Sequence, residues 1–253
     1  MATFSIRTLA ERVARNKSFW RQLPNEFGRA PLRVTPDSAL QYLKPGSTAF
    51  DPMLLRFCDE YVTSDSIVWD IGANIGIFSL AAASRGGNVV AVEPDSWLCS
   101  LLRKTQEHPK NHKLLLEPLC AAIASECGTA RLSIAQRGRS ANFLEEFGGS
   151  TQTGGTRATH LVPILTLDTL MLNGPAPTVI KIDVERAELA VLQGAKLVLE
   201  KARPTILIEV GPETVKEVVL ILRDANYRVT DYITNGEVAV DSTKSANLLA
   251  VPK

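Results

Sequence analysis

The chain has 253 residues, 45% hydrophobic and 22% charged, which is the balance of a protein able to bury a sizeable core. Its 28 Lys and Arg stand against 27 Asp and Glu, a formal charge of +1, so no strong overall field favours nucleic acid or an anionic membrane. Cys58, Cys99, Cys120 and Cys127 form neither a C-x-x-C pair nor zinc-ligand spacing with His, and read as free thiols of a reducing compartment.

In chain order, Ile6, Leu9, Val13, Phe19 and Trp20 recur near helical spacing between Arg and Lys. This predicts an amphipathic helix over Thr3–Arg21 docked on the main domain, with a basic membrane-surface helix as the alternative. The segment lacks the apolar run and small-residue cleavage site of a secretory signal. No stretch approaches the roughly 18 apolar residues that span a bilayer, so a cytoplasmic location without stable membrane insertion is expected. Leu23–Ser47, rich in Pro and Gly, reads as loop, and Asp51 is placed to cap a short helix over Pro52–Tyr61. Residues 1–64 are thus expected to be an N-terminal helical extension or cap, and 65–253 the main domain.

From Ser66 the rhythm changes. Ser66–Ile71 reads as a buried strand, Ile77–Ser84 as a helix, and Asn88–Val92 as a strand. Asp95–Gln106 follows as a helix capped by Asp95 or Ser96, and a third strand starts at Lys113–Leu116 and extends toward Pro118. This alternation predicts an α/β, Rossmann-like domain whose mostly parallel sheet is covered on both faces. Residues 128–162 break the pattern: Ala130–Ala135 and Leu161–Leu165 read as strands of an antiparallel β insertion, with Gly148–Gly155 as a loop or hairpin tip. The rhythm resumes with a strand at Thr178–Ile182, a helix at Ala187–Lys201, a strand at Thr205–Val210 and a helix at Glu213–Ala225. Tyr227–Ile233 and Asn247–Val251 read as a terminal antiparallel pair around a turn at Asn235–Gly236.

The segment Val68–Gly76 carries the first chemistry. A strand runs into Gly72-Ala73-Asn74-Ile75-Gly76 and then a helix, so the glycines allow a sharp turn and close approach by a ligand. Asp70 sits at the strand's C-terminal end, where open α/β sheets bind ligands, and a carboxylate there can pair with an ammonium. Glu93 ends the next strand, about 20 residues on, where a carboxylate can accept ribose hydroxyls. A dinucleotide site would want glycine where Ala73 stands, and Asp70 would repel a pyrophosphate. The turn therefore favours S-adenosylmethionine over a nicotinamide cofactor, which leaves a dinucleotide-dependent oxidoreductase as the alternative enzyme.

The second constellation is Lys181-Ile182-Asp183-Val184-Glu185-Arg186-Ala187-Glu188. Lys181, in a strand built for burial, needs a partner. Asp183 and Glu185 fall at the same sheet edge as Asp70, and Glu209 ends the next strand. One of these acids could act as base for a substrate hydroxyl, or two could hold a divalent cation. Glu188 equally suits a helix start, where negative charge is favoured.

Taken together these residues resemble the FkbM family of methyltransferases over roughly Leu54 to the C-terminus. Asp70–Gly76 looks like that family's cofactor turn and Glu93-Pro94-Asp95 like its ribose-binding strand end. Leu165-Thr166-Leu167-Asp168, Lys181–Glu185 with Ala187-Glu188, and Asn247–Pro252 match its later motifs. The resemblance implies a seven-stranded methyltransferase sheet with an antiparallel last strand, and O-methylation of a hydroxyl, or of a carboxylate, on a sugar or secondary metabolite. It implies cofactor contacts from Asp70, Gly72, Ala73, Asn74, Gly76, Glu93 and Pro94, with Cys120 and Ala121 beside the adenine. Catalysis falls to Asp183, Glu185 and Lys181, and the substrate side to Arg186, Glu209 and Asn142. Where the family has glycine this chain has Arg186, which cannot take a glycine-only conformation cheaply and could instead bind a substrate anion. The expected partner is a small hydroxylated acceptor, not nucleic acid. A homodimer and a catalytically inactive cofactor-binding module remain open.

Overall fold

The structure, a computed structural model, describes residue 13 and residues 15–149, 153–238 and 244–253. Its centre is a sheet of seven strands in the order β12-β13-β11-β10-β3-β4-β5. These are β3 (Ile67–Ile71), β4 (Asn88–Val92), β5 (Leu116–Leu119), β10 (Val179–Ile182), β11 (Thr205–Val210), β12 (Tyr227–Asp231) and β13 (Ala246–Pro252). The pairs β5·β4, β4·β3, β3·β10 and β10·β11 are parallel, whereas β13 is antiparallel to both β11 and β12. The sheet is therefore mixed, and its chain reversals are confined to the β11–β13–β12 side.

Both faces are covered, and the period of two along each strand decides what lies on which face. Val68, Val89, Val179 and Leu207 pack against α1 (Pro52–Tyr61), α2 (Ile77–Ser84) and α3 (Ser96–Gln106) through Phe57, Phe78 and Leu101. Trp69, Ile180, Ile182, Ile206 and Ile208 face the opposite core, filled by α5 (Glu188–Gln193) and α6 (Val215–Asp224). Asp70 and Lys181 are cross-strand partners, so the same alternation points both side chains to the first face. Asp51 and Asp95 cap α1 and α3 by accepting from Met53 N and Trp97 N.

A second, four-stranded sheet follows β5, in the order β6-β9-β7-β8. It consists of β6 (Ala122–Ile123), β7 (Gly128–Ala135), β8 (Phe143–Leu144) and β9 (Thr156–Leu165). The insertion is wider than the expected 128–162 and not wholly antiparallel, because β6 pairs parallel with β9. Its own core is Leu132, Ile134, Leu144, Val162 and Ile164. The middle of the Gly148–Gly155 segment lies outside the described residues.

Three expectations need correction. Most of the expected Thr3–Arg21 helix lies outside the described residues, but its end is strand: β1 (Phe19–Gln22) pairs antiparallel with β2 (Pro31–Val34), inside the stretch expected to be loop. The hairpin is favoured because Leu32 and Val34, alternate residues of β2, are buried in the core shared with α1, α2 and α3, which rewards β alternation over a helical stripe. The third strand begins at Leu116 rather than Lys113. The expected helix Ala187–Lys201 is broken at Gly194, where a Cβ would lie 2.4 Å from the Ala124 carbonyl oxygen. After the break, Asp168 accepts from Leu197 N and Val198 N at 3.1 and 3.0 Å and starts a separate π-helical turn, Val198–Ala202. Thr166 caps α4 (Leu167–Leu172) in the same element.

Candidate functional site

The C-terminal ends of β3, β4 and β10 meet at the glycine turn. Gly72 N and Ala73 N both donate to the Val92 carbonyl at 2.9 Å, and Asp183 N donates to Ile71 O at 3.0 Å. Gly72 has φ +75°, and a Cβ there would lie 1.8 Å from Asp183 O, so only glycine lets the two strand ends approach this closely. Gly76 (φ +84°) opens α2, and a Cβ there would strike Leu102 Cδ2 at 2.3 Å. Ala73 and Gly76 therefore shape the turn without lining an opening.

Asp70 is fully buried beneath this turn. Its Oδ2 accepts from Ser79 Oγ at 2.5 Å, and its Oδ1 lies 3.3 Å from Lys181 Nζ. The Lys181 ammonium donates to Gly72 O at 2.8 Å and lies 3.5 Å from Asp183 Oδ2. Burial alone would push the lysine's pKa down, but the charges of Asp70 and Asp183 outweigh it and raise the pKa above its ordinary value. Asp70 is thus engaged by Lys181 and Ser79. Lys181 ties β3, β10 and the turn together from inside, its side chain 6% exposed.

Beside the turn runs a cleft that opens to solvent. Gly72, Asn74, Glu93, Pro94, Ala121 and Asp183 line it, together with apolar Ile71, Val92 and Ile123. Glu93 Oε2 accepts from Asn74 N at 2.8 Å and Oε1 from Asp95 N at 2.9 Å, which leaves each oxygen a free lone pair. Burial pushes its pKa up to about 7, against the two backbone hydrogen bonds that lower it. Cys120 stands outside the lining, with Sγ 3.9 Å from Pro94 O.

A second cleft shares Ser140, Asp183 and Glu185 with the first and adds Arg186, Glu188, Glu209 and Glu213. Burial, then the charges of Asp183, Glu209 and Glu188, push the Glu185 pKa up to about 8. The charge of Asp183, then burial, pushes Glu209 up to about 7. Glu185 and Arg186 both have positive φ, +53° and +83°. Arg186 thus adopts the glycine-favouring conformation, and Glu188 holds it there by accepting from Val184 N and Arg186 N at 3.3 and 3.1 Å. The Arg186 side chain pairs with Glu213 at 3.1 Å. Among the described residues no group of three His, Cys, Asp or Glu is disposed to hold a metal ion.

Sequence reasoning missed the clamp over the first cleft. Arg139, which lines it, donates to Asp37 Oδ2 at 2.9 Å and Asp95 Oδ2 at 2.5 Å while stacking on Trp97 at 4.8 Å. Arg157 adds a two-pronged pair to Asp37, both contacts 2.9 Å. Burial would raise the Asp37 pKa, but the hydrogen bonds from Arg157 and Arg139 hold it below the ordinary value. Asn142, expected on the substrate side, lines the cleft with its amide already committed: Oδ1 accepts from Ala135 N and Nδ2 donates to Asp95. Ser38 Oγ donates to Asn74 Oδ1 at 2.7 Å, so the N-terminal segment touches the glycine turn itself. No periodic signal marks these residues, because each partner is remote in sequence.

A family model described as the methyltransferase FkbM domain matches residues 70–229. The hexuronic acid methyltransferase AglP of Haloferax volcanii is 25% identical over 230 residues, covering 86% of this chain and 90% of that protein. Among solved structures, the T. thermophilus 16S rRNA N2 G1207 methyltransferase RsmC aligns with a TM-score of 0.51 and 13% identity, covering 94% of this chain and 50% of that one. An FkbM methyltransferase from Methylobacillus flagellatus aligns at 0.46 with 15% identity, covering 85% and 58%.

Proposed function

The chain belongs to the FkbM family of methyltransferases, and from that premise we propose that it moves a methyl group from S-adenosylmethionine to a hydroxyl oxygen of a sugar or related metabolite. The observation that carries the reading is the position of Glu93. Its carboxylate, locked by two backbone N–H groups, lines a cleft that Asp183 and Glu185 also line. That fits a nucleoside whose ribose hydroxyls donate to Glu93 and whose adenine lies against Val92, Ala121 and Ile123. Such a donor, when bound, supplies an electrophilic methyl on a positively charged sulfur. Family membership leaves the dinucleotide alternative without support.

The chain's own residues supply alignment and proton handling. Asp183 borders both clefts, its side chain 40% exposed. With the donor bound, it would take the proton of the acceptor hydroxyl. Lys181 holds that carboxylate from below. Glu185, its pKa pushed up to about 8, stands beside it in both clefts. The relative named for hexuronic acid supports a carbohydrate acceptor.

Calorimetry with S-adenosylhomocysteine and turnover of Asp183→Asn test this together. The variant should bind the nucleoside like the parent and lose roughly a hundredfold or more in kcat. Full turnover removes Asp183 from the mechanism, and absence of heat on adding the nucleoside removes the cofactor.

A further inference from the structure

The β1–β2 hairpin and the turn after α3 enclose a groove that shares no lining residue with either cleft of the methyl-transfer site. Helix α3 starts beside Glu93 and runs back across the sheet, so the groove, which includes His108 and Lys110, lies toward the far end of that helix. We propose that this groove binds an acidic oligosaccharide, a run of sugars bearing carboxylate or sulfate groups.

Its charge is one-sided. Arg21, Arg29 and Lys110 line it together with His108, and among the described residues no Asp or Glu does. The adjoining cleft shares Arg29 and Lys110, and among the described residues its lining likewise has no acid. In a chain with 27 acids this separation is local and leaves the net charge near zero.

The guanidinium groups are positioned, and among the described residues they meet no carboxylate. Arg29 Nε and Nη2 both donate to Gln22 Oε1, at 3.1 and 2.8 Å. Arg21 donates to the carbonyls of Tyr42 and Lys44. Arg33, beside them, donates to Ser18. All of these acceptors are uncharged. Each guanidinium has five N–H donors, so Arg29 keeps donors for an incoming anion in an orientation already fixed. Fixing the side chain in advance removes part of the entropic cost of binding.

The groove also holds an aromatic platform. Trp20 is 42% exposed, with the His108 ring edge-on at 4.7 Å and the Arg33 guanidinium 5.2 Å from its ring. The Arg33 guanidinium lies over the indole, and the exposed remainder of the ring beside cations held by uncharged acceptors suits a pyranose, which presents C–H groups on one side and an anionic substituent at its edge. Nucleic acid suits it less, since a single exposed indole gives no track for successive bases and the whole chain exerts no steering field. A bilayer would need a continuous apolar face, which the cationic lining interrupts.

Trp20 supplies the readout, because Trp69 is fully buried and Trp97 lies under Arg139. An oligogalacturonate titrated into the full chain should shift Trp20 emission saturably, with matching heat by calorimetry, and the affinity should fall with added salt. A neutral malto-oligosaccharide of equal length should give no shift. The double variant R29A/K110A, with unchanged circular dichroism, should bind roughly tenfold more weakly. The proposal is overturned if the acidic oligosaccharide gives neither shift nor heat, or if the neutral one binds equally. It is also overturned if single-stranded DNA or phosphatidylserine vesicles bind more tightly, or if R29A/K110A binds like the parent. The wild-type comparison of charged and neutral ligands decides the matter even if the variant misfolds. None of these readouts requires methyl transfer, so the outcome is separate from that of the donor and acceptor assignment.

Discussion

Replacing Lys181 by Met should unfold much of what holds the site together, and the size of the effect follows from its neighbours. The Lys181 and Asp70 side chains are 6% and 1% exposed and 3.3 Å apart. With an effective dielectric of about 20, that separation gives a gross attraction of about 5 kcal/mol, most of it offset by the cost of burying both charges. Methionine fills the space but leaves Asp70 with only the Ser79 hydroxyl and deprives Gly72 O of its donor. Orphaning one member of such a pair costs about 3–5 kcal/mol. The Asp183 contact adds little, because that carboxylate is 40% exposed. For a domain of this size the melting temperature should fall by roughly 10 °C. The double variant Asp70→Asn/Lys181→Met removes the orphan charge and should recover most of the loss. Thermal unfolding by circular dichroism measures the first effect, and turnover of the double variant separates support from chemistry. If Lys181 is a support, the repaired protein keeps turnover within about tenfold of the parent. A Lys181→Met protein as stable as the parent, or a stable double variant without activity, would refute this account.

If Glu93 holds the ribose as proposed, cofactor affinity should depend on pH. Its folded pKa of about 7 lies above the ordinary 4.5, so the folded protein holds this proton longer than the unfolded chain. Its contribution to stability therefore falls as pH rises between those values and levels off above them. Ribose hydroxyls need the ionised form, so affinity for S-adenosylhomocysteine should rise up to about pH 7 and then flatten, with proton release visible in calorimetry across buffers of different ionisation heat. Glu93→Gln should bind roughly ten- to a hundredfold more weakly and lose that slope, and an unchanged slope would place the titrating group elsewhere. Gly72→Ala should lose more than about 3 kcal/mol, since it combines a left-handed residue with a Cβ 1.8 Å from Asp183 O, and a denaturant titration checks it. Arg186→Gly should leave stability within about 1 kcal/mol, because relief of its φ of +83° offsets glycine's entropy and the loss of a half-exposed pair with Glu213. The same titration tests it, and a loss of several kcal/mol would show that Arg186 holds the junction.

What the sequence made legible is what depends on near neighbours. The strands β3, β4, β10 and β11 appear as apolar runs ending in acid, and their carboxylates reach one sheet edge because parallel strands end together. Glu93 could be placed from spacing alone. The direction of Asp70 could not. Its position at a strand end looks the same whether the carboxylate faces a ligand or the interior, and only pairing with Lys181 on the adjacent strand decides the question. The broken helix after Glu188 was hidden for a similar reason. Gly194 looks tolerable inside a helical pattern until Ala124 O closes on it from the insertion.

The clamp carries the same argument to longer range. Arg139 and Arg157 meet Asp37 across 102 and 120 residues, and neither arginine stands in a pattern that distinguishes it from a solvated one. Yet the side chains of Asp37 and Asp95 are 2% and 0% exposed, so each acid depends on the arginines to remain buried. The N-terminal segment is thereby fastened to the insertion and to the cap of α3 by charges that have no other partner of comparable strength. Because Asp95 N also supports Glu93, loosening the clamp should reach the Glu93 carboxylate through one peptide unit. Accuracy at the cleft thus depends on an ion-pair network whose members are dispersed along the chain, and local sequence patterns do not register it.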